Sequence, residues 1–399
     1  MSNSFKLGIE SLIGQAKYMG DLKTKRVALV AHPASVTKDL EHSIDFLKRQ
    51  NVNIVCCFGP QHGMRGEKQD NMVESDDYLD PIHKIPVYSL YGEYRRPVKK
   101  WMDQFDICLF DLQDVGTRIY TFLTTLLYMM EACAQEKKTL LVLDRPNPAG
   151  RPIEGMKLQK GWESFVGAST VPMRHGMTLG EMALWFQDNH RLNLEMSVIQ
   201  MENYSTGMPW PSGMPWVNPS PNAPNVYMAR AFPGTVMIEG THFSEGRGTT
   251  RPLEVVGAPD IDILKVLSRM ESLNGDWLKG CKIRPCFFEP TFHKHQKTLC
   301  QAIQIHTDGS FYNEEAFKPY RLMTLFFKAV RQLYPTYQIW RDFPYEYERD
   351  RLAIDLINGS DFLRNWVDLP SSKVEDFENE CRQSETAWNH ERKPFLLYS

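Results

Sequence analysis

Short apolar runs alternate with stretches of helical spacing through the first 150 residues, and this alternation limits what the chain can become. "RVALVAH" (26–32), "VNIVCCFGP" (52–60), "PVYSLYG" (86–92), "FDICLFDLQD" (105–114) and "TLLVLDRPNP" (139–148) have the length and near-continuous apolar character of strands buried on both faces. Between them, "LEHSIDFLKRQ" (40–50) has helical spacing, and "RIYTFLTTLLYMMEACAQEKK" (118–138) is long enough for a buried helix. Parallel strands need a crossover, usually a helix, and such helices cover both faces of the sheet. The expected class is α/β: a Rossmann-like open parallel sheet over residues 1–170, then a second, smaller α/β domain over 171–399 with a polar loop and C-terminal helices. A length of 399 residues suits two or three domains.

Open α/β sheets bind ligands beyond the carboxyl ends of their strands. Polar residues stand at four of those ends: His32 after the first run, Gly59-Pro60-Gln61-His62-Gly63 after the second, Asp111, Gln113, Asp114, Gly116 and Arg118 after the fourth, and Asp144-Arg145 after the fifth. Each has an ordinary reading as a loop residue or helix cap; their convergence on one rim favours a pocket. Neither GxGxxG nor GxxxxGK[ST] follows the first strand, so the topology does not imply a dinucleotide or nucleoside triphosphate.

The second half is less regular. Thr178 and Glu181 have capping-box spacing ahead of an apolar helix, with His175 just before. "LNLEMSVIQM" and "CQAIQIHT" (300–307) read as strands, and 261–273 and 316–334 as helices. The Pro-, Gly- and Trp-rich stretch 207–225 carries no charge and reads as an ordered loop. A net charge of −3 gives no reason to expect nucleic acid or an anionic membrane. The eight cysteines form no CxxC pair and suit a reducing compartment, and no histidine–cysteine spacing predicts a metal. The start of the chain has no signal-peptide pattern, so a cytoplasmic location is expected. No cofactor is expected, and no feature points to an oligomeric state.

Residues 238–259, "IEGTHFSEGRGTTRPLEVVGAP", are polar and charged in mid-chain, either as a solvated loop or as the lining of a site. This stretch, with "GPQHGMRG" (59–66), "PVYSLYG", "FDLQDVGTRIYT" (110–121), "VLDRPNP" (142–148), "RHGMTLGE" (174–181), "PSPNAP" (219–224) and "PTFHKH" (290–295), resembles the exo-β-N-acetylmuramidases of the NamZ type, in order over most of the chain. The resemblance implies a glycoside hydrolase that releases terminal N-acetylmuramic acid, or a related amino sugar, from peptidoglycan fragments. The partner would be a small sugar or peptidoglycan fragment. One departure stands out. The family's first turn usually carries a glutamate between Pro and His, and here that position is Gln61, which can neither give nor take a proton as a catalytic acid or base. The alternative is a catalytically impaired amino-sugar-binding protein of the same fold.

Glycoside hydrolysis usually needs two carboxyl groups, one to protonate the leaving oxygen and one to act as nucleophile or to activate water. The expected pair is Glu245, in the polar loop, and Asp114, at a strand end, with Glu67 and Glu74 as substitutes for the missing glutamate and Gln61 and His62 beside them. Glu239, Glu254, Asp111 and Asp144 are further carboxylates within the matching motifs. The competing readings are an ion pair of Glu245 with Arg247 or Arg251, a helix-capping role for Asp114, and a pair of Asp144 with Arg145 or a turn with Asn147. Muramic acid carries a lactyl carboxylate, and an arginine fork reads a carboxylate through two hydrogen bonds. Arg65, Arg118, Arg247 and Arg251 are expected to serve there, with Arg174 a further arginine in these motifs. Tyr120, His175, Asn222 and Thr249 complete the expected binding set, and Trp210 and Trp216 are possible sugar-stacking rings. The site is expected between the two α/β regions.

Overall fold

The five apolar runs become β1 (Val27–Val30), β2 (Ile54–Gly59), β4 (Pro86–Ser89), β5 (Ile107–Phe110) and β6 (Thr139–Leu143) in a computed structural model that describes residues 4–66 and 72–399. They join β3 (Tyr78–Leu79) and β9 (Met196–Ile199) in a seven-stranded sheet of order β3-β4-β2-β1-β5-β6-β9. Every pairing in it is parallel except β3 with β4. Apart from that short edge strand, this is the Rossmann order, with the chain reversing direction beside β1. Buried layers cover both sheet faces: Phe58, Phe110 and Leu126 lie in one, and Leu29, Leu47 and Leu109 in the other. The long apolar helix spans Thr121–Gln135, and the capping box closes as expected, with Thr178 and Glu181 bonded reciprocally at the start of Leu179–Asn189.

The second region holds a three-stranded antiparallel sheet, with β12 (Cys300–His306) between β10 (Val255–Ala258) and β11 (Lys282–Phe288). Helices Val226–Thr235, Ile263–Asn274 and Pro319–Leu333 surround it. A two-stranded ribbon, β7 (Glu154–Lys157) with β8 (Pro172–Arg174), bridges the two regions.

The expected boundary at residue 170 falls inside the unit built around the large sheet, because β9 pairs with β6 there. The run containing β9 was expected in the second region. The C-terminal helix, Val374–Arg392, also returns: Trp388 packs edge-on against Trp185 at 4.9 Å and donates to the His175 carbonyl at 2.8 Å. Arg118 ties the regions from inside, donating to the carbonyls of Met156, Val171, Ile357 and Asn358 at 2.7–3.0 Å. A buried cation with so many carbonyl partners is a clamp, and burial pulls its guanidinium down to about 10.

Candidate active site

The crevice where the strand order reverses, between the ends of β1 and β5, is plugged. Arg145 makes a two-pronged ion pair with Asp111 at 2.6 and 2.8 Å and donates to the Val36 carbonyl at 2.9 Å. Ser43 also donates to the Asp111 carboxylate. Asp144 is equally committed, accepting from Thr178 and Tyr398 hydroxyls at 2.7 Å and the Gly180 amide at 2.8 Å. Ligand space lies instead one strand over, past the end of β2.

There the chain doubles back at once. A Cβ on Gly59 would stand 2.7 Å from the Met64 amide nitrogen, and His62 and Gly63 both take left-handed backbone, with φ of 72° and 81°. This tight turn brings Gln61 and His62 to the mouth of a cavity. Thr121, at the first turn of its helix, donates to Gln61 Oε1 at 2.9 Å and so sets which way the amide faces. The other wall comes from the second region: Glu239, Arg247, Tyr345 and Glu346. The floor is apolar, and Ile119, Val166, Met228, Phe232 and Leu253 in it belong to the second hydrophobic core.

Two carboxylates line this cavity, Glu239 and Glu346. Glu239 accepts from Arg247 Nη2 at 2.6 Å and from the Tyr345 hydroxyl at 2.8 Å. Glu346 accepts from the Tyr91 hydroxyl at 2.8 Å and from Gln61 Nε2 at 3.4 Å. Burial, reinforced by the nearby charge of Glu239, drives the Glu346 carboxyl up to about 7 against the opposing hydrogen bonds from Tyr91 and Gln61. Glu346 and Tyr347 occupy the centre of a tight turn closed by the Glu348 amide donating to the Tyr345 carbonyl at 2.9 Å. Both have positive φ, 45° and 75°, the pattern of a type I′ turn that ordinarily selects Asn and Gly. Placing two bulky residues there costs about 1–3 kcal/mol each, the kind of strain that collects at functional sites.

Of the residues expected at the site, the structure brings Gln61, His62, Tyr120, Asn222 and Arg247 to this cavity. Glu245 lies behind Arg247, paired with its Nε at 3.0 Å and with Lys294 at 2.7 Å. Burial alone would raise its carboxyl, but Lys294, Arg247 and His293 outweigh that and hold it at about 2. Asp114 accepts from the Gly116 amide at 2.7 Å and stands 3.7 Å from His175, away from the lining; the helix it was weighed as capping starts later, at Thr121. Glu74 accepts from the Tyr347 hydroxyl at 3.0 Å on the exposed side, and Glu67 lies outside the described residues. Arg65 pairs with Asp80 at 2.8 Å, Arg251 with Glu254 at 2.9 Å, and Arg118 is the internal clamp. His175 is fully buried beneath Trp388. Thr249 bonds to the Gly246 carbonyl at 2.6 Å, and Trp210 and Trp216 pack on one another with centroids 4.9 Å apart.

The polar stretch at 238–259 is therefore mostly self-satisfied. Its glycines let the chain pass close to itself: a Cβ on Gly248 would stand 2.7 Å from the Phe292 amide nitrogen. It delivers Glu239 and Arg247 to the cavity, and Arg247 Nη1 is buried there with no hydrogen-bond partner.

The comparisons with known proteins follow the same two-part organisation. The model for the N-terminal part of exo-β-N-acetylmuramidase NamZ matches residues 27–227, and that for its C-terminal part matches 230–398. The chain belongs to the NamZ family. It is 36% identical over 394 residues to the peptidoglycan β-N-acetylmuramidase NamZ of Bacillus subtilis (strain 168), covering 98% of this chain and 91% of that one. Two crystal structures of DUF1343 family proteins from Bacteroides fragilis NCTC 9343 are similar, each 28% identical, with TM-scores of 0.85 and 0.74. The first match covers 99% of both chains, and the second 100% of this chain and 99% of the other. The junction between the two NamZ models, near residue 228, follows β9 and so agrees with the extent of the large sheet.

Proposed function

We propose that the chain is an exo-β-N-acetylmuramidase that uses Glu346 as its proton donor and Glu239 as the second carboxylate, in the cavity between the two regions. The observation that carries this reading is the unequal surroundings of the two carboxyls. Glu346 is buried and lifted to about 7, so a large share of it keeps its proton at neutral pH and nearly all of it does in mild acid. Glu239 is ion-paired to Arg247 at 2.6 Å. Two carboxyl groups in unlike surroundings, one buried and one ion-paired, are the usual basis for dividing acid from base or nucleophile. Glu346 would protonate the glycosidic oxygen as the bond to the anomeric carbon breaks. Glu239 would stabilise positive charge on the ring and either attack the anomeric carbon or take a proton from the attacking water.

Three features support a terminal muramic acid as the sugar bound. The apolar floor is the core of the second region, so the glycan has nowhere to continue in that direction. The same floor suits the methyl of an N-acetyl group. Arg247 Nη1, buried and unpartnered, supplies a charge-assisted donor for the lactyl carboxylate.

Gln61 then has a positioning role. Its amide is oriented by Thr121 and donates to Glu346, so the residue that departs from the family motif touches the proposed acid directly. This weakens the alternative of an impaired sugar-binding protein, for which Gln61 was the main support. No helix among the described residues is long and apolar enough to cross a membrane. We place the chain's action on small fragments. The deciding experiment is release of N-acetylmuramic acid from a β-linked N-acetylmuramyl–N-acetylglucosamine disaccharide, by wild type and by Glu346→Gln. Sugar binding by the wild type with no release would establish the impaired reading instead.

A further inference from the structure

Glu346 lines a second cavity as well as the first. This one has a volume of about 370 Å³ on the other side of the 345–348 turn, open to solvent and bounded by Arg95, Arg96, Tyr128, Phe165 and Tyr347. Its volume falls in the range that holds small ligands, roughly 300–1,000 Å³. Three aromatic rings, Tyr128, Phe165 and Tyr347, stand in an otherwise largely polar wall, Tyr128 against Phe165 with centroids 6.2 Å apart. Two guanidinium groups lie flat on tyrosines, Arg95 at 3.4 Å from the Tyr347 ring centre and Arg96 at 3.6 Å from that of Tyr128.

The two arginines differ. Arg96 is neutralised by an ion pair with Glu131. Arg95 makes no salt bridge to an acidic side chain among the described residues, and its Nη1 is buried without a hydrogen-bond partner. Stacking holds the Arg95 fork in place beside the acid while leaving that donor unused, which is costly unless a ligand takes it.

A glycosidic acid has to stand between two sugars, because the oxygen it protonates joins the one being released to the one leaving. We propose that the cavity bounded by Arg95, Tyr128 and Tyr347 is the subsite for the leaving saccharide, a hexosamine pyranose. Its ring would lie against those aromatic rings, and its polar substituents would accept from Arg95. This inference rests on the muramidase reading, since it takes Glu346 as the acid. It assigns the cleaved bond a direction: muramic acid in the cavity with the apolar floor, the rest of the fragment passing over the 345–348 turn towards Arg95.

The test compares two substrates with the same muramic acid and different leaving groups: the muramyl–N-acetylglucosamine disaccharide and N-acetylmuramyl fluoride, whose leaving group fills no subsite. Rates are read near pH 5.5, about one and a half units below the Glu346 value. For Arg95→Ala, and separately for Tyr128→Ala, the ratio of kcat/KM for the disaccharide to that for the fluoride should fall about tenfold or more. A ratio within about twofold of wild type in both folded variants would overturn the subsite. If the wild type hydrolyses neither substrate, the muramidase reading fails on its own, and the cavity is judged by calorimetry with free N-acetylglucosamine. Binding that is lost in Arg95→Ala upholds the subsite, and absent binding, or binding unchanged in that variant, overturns it.

Discussion

Gln61 and Glu346 are 285 residues apart in the chain and meet side chain to side chain, the Gln61 amide donating to the Glu346 carboxyl across 3.4 Å. The contact joins the turn after β2 to the tight turn at 345–348, so it forms only when both regions are in place. It also changes what a glutamine at that position means. A glutamate there would set two carboxyls side by side, which resist ionising together and share a proton. Gln61 leaves one carboxyl, not two, at the contact, oriented by a neutral donor.

Gln61→Glu tests this directly. The variant is expected to turn over the disaccharide no faster than wild type, because the proton donor is already present. Its pH–rate profile should change shape, with the two adjacent carboxyls titrating as a coupled pair and the alkaline limb moving upward. A large acceleration with an unmoved alkaline limb would show that the natural protein lacks its acid, contrary to the role given to Glu346.

Glu346→Gln should lower kcat on the disaccharide by about 10²–10⁴. The loss should be much smaller on a substrate whose leaving group needs no proton. In the wild type, activity should fall as pH rises through about 7, the value to which burial lifts this carboxyl, and the variant should lack that limb. Wild-type stability should fall over the same rise in pH. The folded value lies above the unfolded one, so the carboxyl binds its proton more tightly in the folded state, and wild type loses stability as pH climbs from about 4.5 to 7. Glu346→Gln removes that loss, and above pH 7 the variant should be more stable by about 3 kcal/mol, with no gain below pH 4.5. Paired thermal melts at pH 4.5 and 8 measure it; equal shifts at both would refute the buried-acid assignment.

Much of the fold was readable from local pattern, and the proposed acid was not. β1, β2, β5 and β6 are buried on both faces, so their apolar runs stand out in the sequence, while β4 alternates buried and half-buried residues. β9 is also legible as a strand, but nothing local says which sheet it joins; that follows from the space left beside β6. At the site, Gln61 and Arg247 sit in motifs with recognisable turn and loop residues. Glu346 sits in "DFPYEYERD", where two tyrosines and other acids surround it, with none of the Asn or Gly that announces a type I′ turn. Its role depends on burial by Tyr91 and Gln61, which are remote in sequence. Glu245 misled in the opposite sense. A charged residue in a Gly- and Thr-rich stretch suggests an open cleft, whereas here the charges compensate one another beneath the lining.

Glu245 is accordingly expected to be a stability residue. Its folded value of about 2 lies below the unfolded value near 4.5. The stabilisation is therefore complete above pH 4.5 and is lost as pH falls towards 2. Glu245→Gln leaves Lys294 and Arg247 facing an uncharged group in a buried setting, at a cost of about 3–5 kcal/mol near neutrality. The deficit relative to wild type should shrink in acid, a trend that urea titrations at pH 3 and 7 will resolve. Full stability with turnover abolished would return Glu245 to the chemistry.

Arg247 joins these two layers, and its substitution separates binding from packing. One guanidinium edge holds Glu245 at 3.0 Å, Nη2 holds Glu239 at 2.6 Å, and Nη1 is left for the substrate. Lysine keeps the charge and can satisfy one of those partners, but it has no planar fork to serve all three. Arg247→Lys should therefore lose its preference for a sugar bearing a lactyl carboxylate. A matched pair of substrates, an aryl N-acetylmuramide and the corresponding N-acetylglucosaminide, isolates that preference, since the two differ only by the lactyl group. The kcat/KM ratio of muramide to glucosaminide should drop by about tenfold or more in the variant, the worth of one charge-assisted hydrogen bond. If both substrates slow equally while thermal stability falls, Arg247 serves to hold Glu239 and Glu245, and the lactyl carboxylate is read by another donor at the rim.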